Sequence, residues 1–291
     1  MVPVDGAITW NPWHGCHKCS EGCLNCFIYE SDKHYGRESE YIKQNRTEFR
    51  KPVKKHRVKG AEKYELQYVI PSGSHIMVCM TSDFFIEEAD IFRLEAWEFI
   101  HERSDCLFEI MTKRPERIEQ CLPDNWLDGW NNVIIDVSVE NELRAWERIP
   151  RLLDLPIKHK GIMMQPLLES IDIRPFLSSG DIEQVYVGGE SYKGLNGDAR
   201  ELDMKDVKSI QNQCKSYDVP FIFNQTGTRL KLENGRIIKV LRKTDEKGLA
   251  QFYGLNIEEI GGINWKQTAK ELELQSLAEQ AHSIYKKIRG D

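Results

Sequence analysis

The sequence predicts an α/β protein: a partial (β/α) barrel of six or seven units followed by a C-terminal hairpin and helix. The first observation is a rhythm of short apolar runs that close on polar residues. His75–Met80 closes on Thr81-Ser82-Asp83, Leu107–Met111 on Thr112-Lys113-Arg114, and Val133–Val137 on Ser138-Val139-Glu140-Asn141. Gly161–Met164 closes on Gln165-Pro166, Gln184–Val187 on Gly188-Gly189-Glu190-Ser191, and Pro220–Phe223 on Asn224-Gln225-Thr226-Gly227. The second observation is that the segments between them, such as Ala89 to Arg103 and Asn141 to Leu153, carry apolar residues at three- and four-residue steps. Strands alternating with helices build a parallel sheet with right-handed crossovers. In such folds functional groups gather at the carboxyl ends of the strands, where this chain has its polar residues.

Taken in order, Ile8-Thr9-Trp10 is a first strand, and a loop rich in cysteine follows it. Phe27-Ile28-Tyr29-Glu30 opens a helix that runs towards Tyr35-Gly36. Residues 43–63 hold nine Lys or Arg against Glu48 and Glu62. That run is either a solvated face or a contact to phosphates placed beside the cysteine loop, with Lys51, Lys54, Lys55 and Arg57 at its centre. After Gly227 the rhythm stops. Arg229 to Val240 is a hairpin around Asn234-Gly235. Leu274, Leu277, Ala278, Ala281, Ile284, Tyr285 and Ile288 then stripe one helical face, which suits packing on the barrel or on a partner. The expected organisation is a barrel over 1–227 with a basic insertion at 43–63, and an extension over 228–291 packed on it.

Four of the chain's 8 cysteines, Cys16, Cys19, Cys23 and Cys26, fall between residues 16 and 26. Gly15, Ser20, Gly22 and Asn25 make this a loop able to fold its thiolates inward. Disulfides would staple the loop to itself and close too few residues to stabilise much. Zinc ribbons separate their Cys-x-x-Cys halves by roughly 15–20 residues, whereas here only Ser20, Glu21 and Gly22 intervene. Ferredoxin-type loops use spacings of about two and three, because a cuboidal cluster offers several irons to one short loop. Cys19-x-x-x-Cys23-x-x-Cys26 is also the spacing of radical S-adenosylmethionine (SAM) enzymes, in which three thiolates hold three irons and leave a fourth open. A structural zinc loop is the alternative. His14 and His17 suit hydrogen bonding better than ligation, and Trp10 and Trp13 suit the core or a lid.

Length and composition set limits on these readings. At 291 residues and 40% hydrophobic content the chain can bury a sizeable core. A net charge of -6 and a pI near 5.8 argue against a uniformly basic nucleic-acid binder, though not against a basic patch. No signal-peptide pattern opens the sequence and no run reaches transmembrane length. With cysteines otherwise scattered singly, a cytoplasmic location away from the membrane is expected.

The motifs together resemble a phage and bacterial family of unknown function, the three-Cys-motif proteins encoded beside a three-Cys-motif partner. The likeness runs from Thr9-Trp10-Asn11-Pro12-Trp13-His14-Gly15-Cys16 through Thr81–Phe85, Thr112–Arg114, Val139–Asn141, Pro166–Glu169 and Gly188–Ser191. It ends near Gln225-Thr226-Gly227 and so covers about residues 8–227. That family is similar to radical SAM proteins and distantly to spore photoproduct lyase. The resemblance implies a radical SAM-like barrel, a [4Fe-4S] cluster, SAM, an electron donor and the partner protein. Its three cysteines match Cys16, Cys23 and Cys26, so the third thiolate here is Cys16 or Cys19. Gln165 and Asn224 stand where the family usually carries Glu and Lys. The two exchanges remove opposite charges and so suggest a coupled pair.

For SAM, Ser82, Asp83 and Glu140 are candidate contacts to the ribose or ammonium, Gln165 to SAM or substrate, and Lys113 and Arg114 to a carboxylate or phosphate. Gly188 and Gly189 would let a ligand approach the backbone, or simply make a tight turn. Glu190 would accept from the methionine ammonium. A structural salt bridge is the competing role for each of these charges. Three function classes follow: a radical SAM enzyme modifying or repairing a nucleic-acid base, a radical SAM enzyme acting on a peptide or partner protein, and a non-enzymatic metal-stabilised binding protein.

Overall fold

The computed structural model describes residues 7–57, 66–191 and 199–240, with the isolated positions 249, 252, 253 and 255. Seven parallel strands form one sheet: β1 (Ile8–Trp10), β2 (His75–Val78), β3 (Leu107–Thr112), β4 (Val133–Ser138), β5 (His159–Met164), β6 (Ile182–Gly188) and β7 (Phe221–Gln225). Their order across the sheet is their order in the chain, so the sheet curls in one direction into a half-barrel. All the apolar runs read from the sequence are strands of this sheet. β3 and β4 are buried along their whole length, which is why they read as unbroken apolar runs rather than alternating ones.

Helices cross between successive strands: α1 (Phe27–His34), α2 (Asp90–Glu102), α3 (Ile118–Cys121), α4 (Glu142–Leu153), α5 (Arg174–Leu177) and α6 (Met204–Ser216). The Asn141 side chain accepts from Arg144 N at 2.9 Å and so caps α4, and Asp203 caps α6 in the same way. Side chains alternate across each strand. The outer set, including Val78, Ile110, Ile135, Ile162 and Val187, packs with Trp97, Ile149 and Ile210 of the helices into the main core. The inner set meets inside the half-barrel, where Met77, Met111, Met163 and Tyr186 form a separate buried cluster.

The hairpin is present: Arg229–Lys231 pairs antiparallel with Ile237–Lys239 around Gly235, at φ +82°. The expected C-terminal helix, Leu274 to Ile288, lies outside the described residues, as do Lys59 and Lys63.

The basic stretch runs differently from expectation. Lys43–Gln44 pairs with Trp13–His14 at the cysteine end of the sheet. Turns then carry the chain down the outside of β1, and Lys55–Arg57 pairs with Leu66–Tyr68. Tyr68 Oη donates to Glu102 at 2.8 Å, beside the turn that feeds the N-terminal end of β3. Lys54, Lys55 and Arg57 therefore sit at the opposite edge from the cysteine loop. Burial explains the descent: Phe49 packs on Phe99, with centroids 5.4 Å apart. Arg103 Nη1 also donates to Pro52 O at 2.5 Å.

Candidate metal centre

The cysteine loop is anchored at both ends and across its middle. Trp10 and Trp13 are fully buried. Trp10 Nε1 donates to Glu48 O and Phe49 O at 3.1 and 3.2 Å, and Trp13 Nε1 donates to Asp83 O at 3.1 Å. Gly15 has φ +100°, and a Cβ there would lie 2.5 Å from Tyr41 O, so no other residue fits this turn. Next to it Ser82 Oγ donates to Gly15 O at 2.5 Å and Cys16 N to Ser39 O at 2.8 Å. Glu21–Cys23 forms a short 3-10 turn whose Gly22 N donates to Glu140 Oε1 at 3.2 Å. Asn25 Nδ2 donates to Glu190 Oε2 at 2.8 Å, and Cys26 is the N-cap residue of α1. The loop thus lies across the ends of β1, β2, β4 and β6.

Three carboxylates beneath the loop each meet a guanidinium. Asp83 accepts from Thr112 Oγ1 (2.8 Å), Lys113 N (2.9 Å), Phe85 N (3.0 Å) and Arg114 Nη1 (3.0 Å). Arg114 Nη2 continues to His17 O at 2.9 Å, and its Nη1 lies 3.9 Å from Cys16 Sγ. Glu140 pairs with Arg148 at 2.9 Å, both buried, and Glu190 pairs with Arg200. Arg200 Nη1 also donates to Glu21 O at 2.9 Å. Lys113 is the exception: its ammonium has no ion pair among the described residues. Burial opposes its charge, but the Cys23 thiolate and the Glu140 carboxylate outweigh that and hold it above the ordinary lysine range.

The thiols are unequal. Burial, with Asp83 adding to it, pushes Cys16 up to about 12, although Arg114 opposes the rise. The hydrogen bond from Cys19 draws Cys23 well below the usual thiol range, against burial and helped by Lys113. The same bond raises Cys19. Cys16 senses the charge of both Cys23 and Cys26, so these three thiols share one neighbourhood. Cys19 is exposed; Cys23 is the thiol it bonds, and Arg114 and Lys113 also act on it. Among the described residues, no three or more His, Cys, Asp or Glu side chains converge on a single-ion site.

The residues singled out in the sequence divide clearly. Ser82, Asp83, Glu140, Glu190, Lys113 and Arg114 all come together under the cysteine loop. The Glu190 carboxylate is 5% exposed and saturated by Arg200 and Asn25, so it braces the loop where an ammonium contact was expected. Backbone of the neighbouring strand end requires Gly189, whereas Gly188 is crowded only by a side chain. A Cβ on Gly189 would stand 2.3 Å from Thr226 O, and one on Gly188 would stand 3.0 Å from the Gln165 side chain. The coupling expected of Gln165 and Asn224 is direct, with Asn224 Nδ2 donating to Gln165 Oε1 at 2.8 Å.

Lys51 bonds to Glu48 and Thr9 O at 2.8 and 3.2 Å, and the rest of its group is at the far edge. The two histidines are occupied, His14 with buried Asp32 at 2.9 Å and His17 with Glu88 at 2.5 Å. Sequence reasoning missed Asn25, Arg148 and Arg200, the partners that fix the loop. Nothing in their spacing marked them, because Arg148 and Arg200 reach back from the following crossover and Asn25 meets a strand end far away in the chain.

The donor set suits an iron–sulfur cluster. Several thiols sit in one solvent-reaching loop, with Lys113, which has no ion pair among the described residues, and the Arg114 guanidinium facing them, and the N-terminus of α1 beside Cys26. Each of these stabilises thiolate. No helix of the described residues is long and apolar enough to cross a membrane.

Residues 6–281 match the model of a family described as "Protein of unknown function (DUF5131)". The match extends beyond residue 227, where the motif likeness ends. No curated protein and no solved structure matches the chain.

Proposed function

The chain belongs to the DUF5131 family of proteins of unknown function, and within it we propose that this member is a radical SAM enzyme whose substrate is a nucleic-acid base. One observation carries the proposal: a four-cysteine loop clamped over the C-terminal edge of a parallel half-barrel, with Lys113 and Arg114 turned towards its thiols. Cys16, Cys23 and Cys26 would hold a [4Fe-4S] cluster, leaving one iron for SAM. When bound, that cluster supplies the electron for reductive cleavage of SAM and so hydrogen abstraction from a substrate. An external electron donor is implied, and the three-Cys-motif partner protein is a candidate for association.

The chain's own groups have separable tasks. Lys113 and Arg114 offset the negative charge of the sulfur ligands. Glu140 and Glu190, already neutralised by arginines, hold Gly22 and Asn25 and so fix where the loop stands. Gln165 and Asn224 offer an uncharged polar pair at the strand ends. Below them Met77, Met111, Met163 and Tyr186 close the floor and keep water out.

Anaerobic reconstitution tests this directly. The protein should take up four irons, absorb in the visible and convert SAM to 5′-deoxyadenosine, and the Cys23→Ala, Cys26→Ala double variant should do none of these. Cys16→Ser should lose the cluster while Cys19→Ser keeps it. Stoichiometric zinc in a colourless protein would overturn the proposal and favour a metal-stabilised binding protein. Equal loss from both serine variants would mean four ligating thiols and no open iron.

A further inference from the structure

A groove of about 810 Å³ opens beside the cysteine loop, between its first residues, the segment from Arg37 to Thr47 and the start of α2. That volume is within the range of ligand clefts. Three cations line it: Arg37, Lys43 and Arg46. All three are exposed, and none has an ion pair among the described residues. The neighbouring cations of the same stretch are engaged: Arg50 with Glu95 at 2.6 Å, and Lys51 with Glu48 at 2.8 Å. Glu88 is the one carboxylate in the lining, and it is already bonded to His17. Tyr41, 64% exposed, gives the groove an aromatic face, and Arg37 stacks over the exposed ring of Tyr35 at 5.1 Å.

The groove is also joined rigidly to the first cysteine. Tyr41 O closes on Gly15, Ser39 O accepts from Cys16 N, and Tyr29 Oη donates to Cys16 O at 2.6 Å. An occupant of the groove is therefore held against the wall of the candidate metal centre.

We propose that this groove binds single-stranded nucleic acid, with Arg37, Lys43 and Arg46 on phosphates and Tyr41 stacked on a base. Unpaired cations interleaved with exposed aromatic faces are what a strand needs: charge along the backbone and a ring for a base of any sequence. An acidic peptide would use the cations but leave the tyrosine without a partner ring. The proposal rests on the nucleic-acid reading above for its substrate class, and it moves the contact from Lys51, Lys54, Lys55 and Arg57 to the cysteine face.

Binding is measured on metal-free protein by fluorescence anisotropy with a labelled oligothymidylate of about 12 nucleotides, a length that single-strand grooves cover. Three phosphate contacts give a log–log salt slope of about −2, so affinity should fall about 20-fold between 50 and 200 mM salt. Arg37→Gln, Lys43→Gln, Arg46→Gln together should abolish most binding and flatten the slope. Lys54→Gln, Lys55→Gln, Arg57→Gln together should leave both unchanged. Tyr41→Ala, which keeps every charge, should weaken binding about tenfold. Circular dichroism checks that each variant is folded.

The proposal is overturned if the far-edge variant is the one that flattens the slope, if the wild type binds no oligonucleotide at low salt, or if polyglutamate competes as well as the oligonucleotide. The radical SAM reading fails separately. Protein that binds through the groove without cleaving SAM keeps this site and loses that activity, and the converse result does the reverse.

Discussion

At the C-terminal edge of the sheet Asp83, Glu140 and Glu190 each meet a guanidinium, from Arg114, Arg148 and Arg200. Four residues before Lys113, on β3, Glu109 meets another carboxyl, that of Asp136. Both are fully buried. Gln184 Nε2 donates to both at 3.0 Å, and His75 Nε2 lies 2.7 Å from Glu109. Gly161 makes room for this group, since a Cβ there would stand 1.9 Å from Asp136 Oδ1. The upper level sets each carboxylate against a guanidinium. At the lower level burial, with mutual repulsion added for Asp136, raises both carboxyls above the ordinary range. Charge at the upper level holds the cysteine loop in place, whereas burial disfavours it at the lower level.

The sharpest way to break that contrast is to unpair the upper level. Arg148 donates to Ser138 O at 2.7 Å as well as to Glu140, and both ionic partners are buried. Arg148→Met should cost about 3–5 kcal/mol in urea unfolding, because it strands a buried carboxylate. Adding Glu140→Gln should recover part of the loss. Since Glu140 also holds Gly22, both variants should retain iron poorly. Full stability in Arg148→Met would mean that water already reaches Glu140.

The lower level should show itself in pH dependence. A carboxyl whose folded pKa is raised binds a proton that the unfolded chain has released, so its stabilisation is lost as pH rises towards the folded value. His75 works the other way. Burial depresses it to about 4, so it adds to stability with rising pH only up to its unfolded value of 6.5. Above that point the carboxyls are read without interference from His75. There stability should fall with pH by up to about 1.4 kcal/mol per unit for each proton involved. Asp136→Asn, which supplies its own N–H, should flatten the fall. An unchanged slope in that variant would show that Asp136 is ionised in the native state.

These two levels were not equally legible in the sequence. The strands could be read because both faces of β3 and β4 are buried, and sheet order follows chain order because each crossover returns to the next position. The carboxylates at the strand ends were visible as candidates for ligand contact. Arg114 was visible as well, but Arg148 and Arg200 were not, because they reach back from within the crossover that follows. Gly189 suggested ligand access only because the carbonyl of Thr226 cannot be seen in a sequence. Glu109 and Asp136 did leave a signal, a lone acid inside each of two apolar strands. The density of charge in residues 43–63 was plain, whereas its descent along β1 depends on Phe49 and Arg103 and so on tertiary packing. Gln165 and Asn224 succeeded for the opposite reason: two exchanges of opposite sign point to contact without any knowledge of the fold.

The smallest expected effect tests whether the upper level is tuned for the loop or only for stability. Asn25 Nδ2 donates to Glu190, which retains Arg200 when that donor is lost. No charge is stranded, so Asn25→Ala should cost only about 1 kcal/mol in urea unfolding, the net worth of a hydrogen bond. Its effect on the metal should be larger than its effect on the fold, because Asn25 directly precedes Cys26 and ties that end of the loop to β6. The iron content of the anaerobically reconstituted variant, and the rate at which a chelator removes it, report this difference. Asn25→Asp sets a second carboxylate against Glu190 and should lose iron faster still. If both variants hold iron as the wild type does, Glu190 and Arg200 stabilise the barrel and do not position the loop. The contrast between the two levels would then be one of charge alone.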